Sequence, residues 1–140
     1  FTMPKPEFLA KILGRFGVNE SRRVILYSRD TLQWSARVWW MLHGIGLDNI
    51  SILGGDFNTW VAESHRITPA PSEYSPSSLK LGQPRQVFVG KTEVTAAIND
   101  EHVCLSNALN ADGHPGVDAR YGRRGHIPGS VNVPAASLQE

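Results

Sequence analysis

Gly125-His126-Ile127-Pro128-Gly129-Ser130-Val131-Asn132-Val133-Pro134 decides how this chain is organised. Its glycines and prolines punctuate a tight turn, and Val131-Asn132-Val133 reads as a short strand leaving it. The stretch lies near the C-terminal end of 140 residues. A strand, a polar loop and a helix lie instead near the N-terminus, at Val24 to Gly44. Arg23-Val24-Ile25-Leu26-Tyr27 is apolar without alternation, as in a parallel strand buried on both faces. Ser28 to Gln33 is a polar turn, and Trp34, Val38, Met41, Leu42 and Ile45 then recur at helical spacing.

Working outward, Phe8, Leu9, Ile12, Leu13 and Phe16 follow helical spacing, with Pro6 suited to the first turn and Gly17 to the C-terminal cap. Ile50-Ser51-Ile52-Leu53 is a second strand, Gly54-Gly55 a turn, and Asp56 the cap of a short helix through Trp60 and Val61. Strand, helix, strand and helix with short connections predict an α/β fold. Residues 64–86 hold Pro69, Pro71, Pro76 and Pro84 among serines and threonines, and read as an extended linker. Beyond it come a possible strand at Val87-Phe88-Val89, a weak helix from Thr92 to Ile98, and a strand from His102 to Ser106. A long loop runs from Asn107 to Arg124, and Ser137 is a candidate cap for a helix reaching Glu140.

The bulk numbers bound the function. A net charge of +1 offers no electrostatic case for nucleic acid. No apolar run approaches the length of a membrane span, and Phe1-Thr2-Met3-Pro4-Lys5 does not open a signal peptide. The absence of an initiator methionine suggests an incomplete or processed chain. One cysteine excludes an internal disulfide and a multi-cysteine metal site, and a single thiol fits a reducing, cytoplasmic setting. His43, His65, His102 and His114 show no ligand spacing, so no metal is expected. Trp34, Trp39, Trp40 and Trp60 read as core and interface residues. Of the adjacent pair, one should pack on the sheet and the other on a neighbouring unit.

Gly125 to Asn132 resembles the GHIPGAxN element of the rhodanese family, the thiosulfate sulfurtransferases. Val24 to Ser28 followed by Ala36-Arg37-Val38-Trp39-Trp40-Met41-Leu42 is similar to the strand, loop and helix that carry that family's reactive cysteine. Gly46 to Trp60, with Gly54-Gly55 inside it, is similar to the family's ending G-x-x-x-V-x-x-L-x-G-G-x-x-x-W. The resemblance is to the central span of a tandem, two-unit rhodanese. It implies that residues 1–63 are the C-terminal half of a first unit, 64–86 a linker, and 87–140 the N-terminal half of a second. The implied fold is a rhodanese-like parallel sheet with helices on both faces, its halves in permuted order.

The resemblance also implies a reaction: sulfane sulfur moves from thiosulfate to a thiophilic acceptor such as cyanide. The nucleophile is a thiolate that becomes a persulfide. A cradle of backbone N–H groups at a helix N-terminus lowers its pKa and holds the anionic donor. Ser28 occupies the cysteine position here, so no catalytic residue is expected within this chain. An anion site could survive at the helix N-terminus, opposed by Asp30. Where the family carries an Asp-x-Arg signature, this chain has Asn107-Ala108-Leu109. Arg120, beside Tyr121, resembles an arginine that faces the family's active site and is the candidate substrate-binding residue. His126 is expected to order its turn, and Cys104 to be a buried structural thiol in its strand.

No cofactor is implied. The expected partners are a thiosulfate-type anion, acting through a parent protein, and a second copy in a swapped homodimer, with no nucleic acid and no membrane. The competing reading is a non-catalytic rhodanese-like binding or scaffolding module, in which the two halves complete one permuted sheet.

Overall fold

Pro6 opens the first helix because proline lacks only an N–H that a helix start leaves unused. The computed structural model, which describes residues 3–113 and 122–138, places α1 at Pro6–Arg15. Gly17, at φ +76°, turns the chain out of it, with the Val18 N–H on the Leu13 carbonyl at 3.2 Å. β1 (Val24–Leu26), α2 (Leu32–Gly44), β2 (Ile50–Ile52) and α3 (Phe57–Ala62) follow. β1 and β2 pair in parallel with Val24 opposite Ile50 and Leu26 opposite Ile52, α2 forming the crossover. After the proline-rich stretch come α4 (Lys91–Ala97), β3 (Ser106–Asn107) and β4 (Val131–Asn132), the last two also parallel. Single 3-10 turns occupy Ala111–Gly113 and Ala135–Leu138.

The chain divides into two compact units, Phe1–Phe88 and Val89–Glu140. In the first, Ala10, Leu42, Ile45, Leu47, Ile50 and Leu79 form the buried core, with Leu9, Leu13, Val24, Leu26 and Trp39 packed on it. α1 and α2 thus cover one face of the β1–β2 sheet. α3 stands on the other, where Phe57 and Trp60 line a cavity with Ile25 and Leu53. Leu79 comes from the proline-rich stretch, whose second half is fastened to the unit. The Ser77 N–H donates to the Gly14 carbonyl (2.8 Å), the Gly82 N–H to Ile45 (3.1 Å) and the Arg85 N–H to Gly44 (2.9 Å). Gly46, at φ +82°, lies against the backbone of Gly82 and Gln83.

In the second unit the Gly90 N–H donates to the Glu93 carboxylate (2.7 Å), fixing the start of α4. The Asn132 side chain donates to the carbonyls of Asn107 and Leu109, both at 2.9 Å, and locks the parallel pair.

Several local expectations are corrected. β1 is not buried on both faces: Ile25 is 56% exposed and Tyr27 62%, because a two-stranded sheet with one short helix on that side leaves the face half open. Val87 to Val89 forms no strand. Within the first unit Trp40 donates its indole N–H to the Val87 carbonyl (3.1 Å). The strand expected from His102 shrinks to Ser106–Asn107. Cys104 lies outside it and is exposed. Burying a strand needs a layer on each face, and α4 has no buried side chain to supply one. Ser137 lies in the 3-10 turn Ala135–Leu138, its hydroxyl donating to the Pro134 carbonyl (2.7 Å), and the end of the helix expected to reach Glu140 lies outside the described residues.

Candidate functional site

The loop between β1 and α2 is the first candidate. Thr31 is the N-cap of α2: its backbone is extended and its hydroxyl accepts the Gln33 N–H at 3.3 Å. One of the donors that a bound anion would want is thereby taken. Ser28 is half-buried and turned into the loop. Its hydroxyl donates to the Thr31 carbonyl (2.5 Å) and lies 3.2 Å from the Ser35 hydroxyl. Ser35, buried, donates in turn to the Leu32 carbonyl (3.0 Å).

α3 closes the loop from the other side. The Phe57 N–H donates to the Ser28 carbonyl (3.0 Å), and the Asn58 amide to the Arg29 carbonyl (2.9 Å). The Arg29 guanidinium rests 4.6 Å over the Phe57 ring. Asp56 caps α3 as expected, accepting the Thr59 N–H at 2.8 Å, and that bond chiefly holds its carboxyl below the usual range. Asp30 is exposed at the tip. The Ser28 hydroxyl is aimed at a carbonyl and a second hydroxyl, neither of which is a base that could activate it.

The second candidate is a cleft of about 760 Å³ in the second unit. Lys91, Arg123, Arg124 and His126 line it together with Asn107 and Ile127. Lys91 and the Arg123-Arg124 pair lie far apart in sequence, which is why no reading of local motifs brought them together. Arg120, the candidate substrate-binding residue, lies outside the described residues, as does Tyr121. Cys104 does not line the cleft. Among the described residues no group of His, Cys, Asp or Glu stands ready for a metal ion. No helix there is long and apolar enough to cross a membrane.

A solved structure of SseA from Escherichia coli, described by the rhodanese fold and 3-mercaptopyruvate sulfur transfer, superposes on this chain with a TM-score of 0.80. It is 29% identical and matches 98% of this chain and 52% of its own. This is a rhodanese-fold chain. Other rhodanese-type relatives agree. The thiosulfate sulfurtransferase of Gallus gallus is 28% identical across 99% of this chain and 49% of its own length. The 3-mercaptopyruvate sulfurtransferase of Escherichia coli K12 is 29% identical across 97% and 50%. The chain therefore spans about half the length of the curated relatives it matches. No family model matches it. The rhodanese fold accounts for the parallel pairing in both units.

Proposed function

We propose that this chain is the central span of a two-unit rhodanese-like sulfurtransferase, and that it carries no persulfide nucleophile of its own. In this reading residues 1–63 are the back half of one unit, 64–86 join them, and 87–140 are the front half of the next. The observation that carries it is a likeness to sulfurtransferases that runs through both units without a break. A thiolate attacks the sulfane sulfur of a thiosulfate-type donor, forms an S–S bond and releases sulfite. The persulfide's outer sulfur then passes to a thiophilic acceptor, and the thiolate returns. Ser28 stands in the cysteine position of the first unit and cannot take that part. Arg120 is the proposed contact to the anionic donor. A lone exposed thiol suits a reducing compartment, and the proposal places the protein in the cytoplasm. A homodimer that exchanges half-units belongs to the same proposal.

The test replaces the corresponding half of the Escherichia coli 3-mercaptopyruvate sulfurtransferase with this span. The folded chimera is expected to retain sulfur transfer within about 100-fold of its parent, the scale of small misplacements at a reacting centre. A folded chimera without turnover overturns the reading.

The chain alone should form no thiocyanate from thiosulfate and cyanide, and Ser28→Cys should not rescue it. A thiol at that position faces the Thr31 carbonyl, an acceptor that disfavours the thiolate, instead of the N–H groups that lower a cysteine's pKa. Thiocyanate from the variant is expected to stay within about two-fold of the blank, since the activated thiolate is what the reaction needs. A rise well beyond that would show that the loop can still open into a working cradle.

A further inference from the structure

The second unit gathers positive charge in one place. Lys91, at the start of α4, and Arg123 and Arg124, just ahead of Gly125, line the same cleft of about 760 Å³. No aspartate or glutamate lines it, although the chain as a whole carries 13 acids against 14 lysines and arginines. Several other arginines are partnered. Arg85 pairs with Asp48 at 2.7 Å, Arg23 donates to the Ser51 hydroxyl at 2.9 Å, and Arg29 lies over the Phe57 ring. Among the described residues, no hydrogen bond or ion pair reaches the side chains of Lys91, Arg123 or Arg124. Glu93, the acid nearest to Lys91 in sequence, accepts the Gly90 N–H at 2.7 Å. Three like charges on one cleft repel each other, and an anion between them relieves that repulsion. The rest of the lining is largely apolar, with Val94, Ile98, Ile127 and Pro128. The volume lies within the roughly 300–1,000 Å³ of small-molecule sites, many times the space of an inorganic oxyanion.

We propose that this cleft binds an organic oxyanion, a ring-sized apolar body carrying a phosphate or carboxylate head. The forked guanidinium groups of Arg123 and Arg124 match the paired oxygens that either head presents, and Lys91 adds a point charge. Ile98 and Ile127 take the body. A bare anion would satisfy the cations and leave the apolar floor wet, so head and body are needed together. The inference stands apart from sulfur transfer, because no step of that reaction uses Lys91, Arg123 or Arg124.

Isothermal titration calorimetry of the full chain with phenyl phosphate tests this, with inorganic phosphate and phenol supplying head and body separately. Phenyl phosphate is expected to bind at about 1 mM or tighter, and at least about 10-fold tighter than either control. Benzoate in a parallel titration decides the head: tighter binding than phenyl phosphate assigns a carboxylate, weaker binding a phosphate. Lys91→Gln and Arg124→Gln should each weaken the better probe about 10-fold, the size of one charge-assisted hydrogen bond. Both positions are exposed, so circular dichroism should not change. Amide shifts in NMR spectra of the unmodified chain need no variant and should move within residues 89–128. Absence of saturation by about 10 mM for both probes overturns the inference. So does inorganic phosphate binding as tightly as phenyl phosphate, a folded variant that binds like the parent, or shifts confined to the first unit. A dead chimera leaves each of these readouts intact, so the two readings fail separately.

Discussion

Gly46→Ala is expected to destabilise the first unit by about 3 kcal/mol. Two effects add. Gly46 sits at φ +82°, where a side chain costs about 1–2 kcal/mol. A Cβ there would also stand 2.6 Å from the Gln83 carbonyl oxygen and 2.6 Å from the Gly82 carbonyl carbon. Both are backbone atoms, so no rotamer change relieves the clash. The segment must move away, and the Gly82 N–H to Ile45 bond (3.1 Å) goes with it, a loss of about 1 kcal/mol. Urea unfolding followed by tryptophan fluorescence reads this unit alone, because Trp34, Trp39, Trp40 and Trp60 all precede residue 88. The midpoint should fall at an unchanged slope. An unchanged midpoint would mean that the 82–83 segment does not lie against α2's C-terminus in solution.

Leu42→Ala is the second large effect, again about 3 kcal/mol. Leu42 is fully buried, at 0% exposure, and lies in one cluster with Ala10, Ile45, Leu47, Ile50 and Leu79. Those neighbours come from α1, the connection between α2 and β2, β2 itself and the proline-rich stretch. The surroundings are therefore tied to several separate elements and collapse poorly around a cavity, which is the condition for a cost above simple transfer. Phe16→Ala, at a residue 70% exposed, should shift the same midpoint by about 0.5 kcal/mol or less. Equal effects from the two substitutions would refute this assignment of the core.

The first unit was readable in sequence where a physical rule tied residues to a local shape. The 3.6-residue spacing of Trp34 to Ile45 gave α2, Gly17 ended α1, and Asp56 capped α3, each through contacts within a turn or two. Thr31 carried its own signal, a β-branched hydroxyl just before the periodic run, yet the polar turn around it hid the cap. Leu79 carried almost none: one leucine among prolines and serines is buried where Gly14 and Gly46 leave room for backbone to lie close. Cys104 was misjudged because apolar neighbours in sequence suggest a buried strand, while burial depends on layers that the second unit does not provide. The loop between β1 and α2 falls where the order strand, polar turn, helix put it. Its closed state followed from Ser28 and Ser35 sharing one hydrogen-bonded chain seven residues long, which spacing alone does not reveal.

The stretch from Ser77 to Val87 has no regular secondary structure, yet it is bolted to the first unit through Ser77, Leu79, Gly82 and Arg85. Its length is consequently not free to drift. Residues 69–73, all exposed, can absorb insertions or deletions during evolution or engineering. A single residue gained or lost between Ser77 and Arg85 would instead throw every downstream anchor out of step, so a flexible glycine-serine replacement would cut away part of the fold itself.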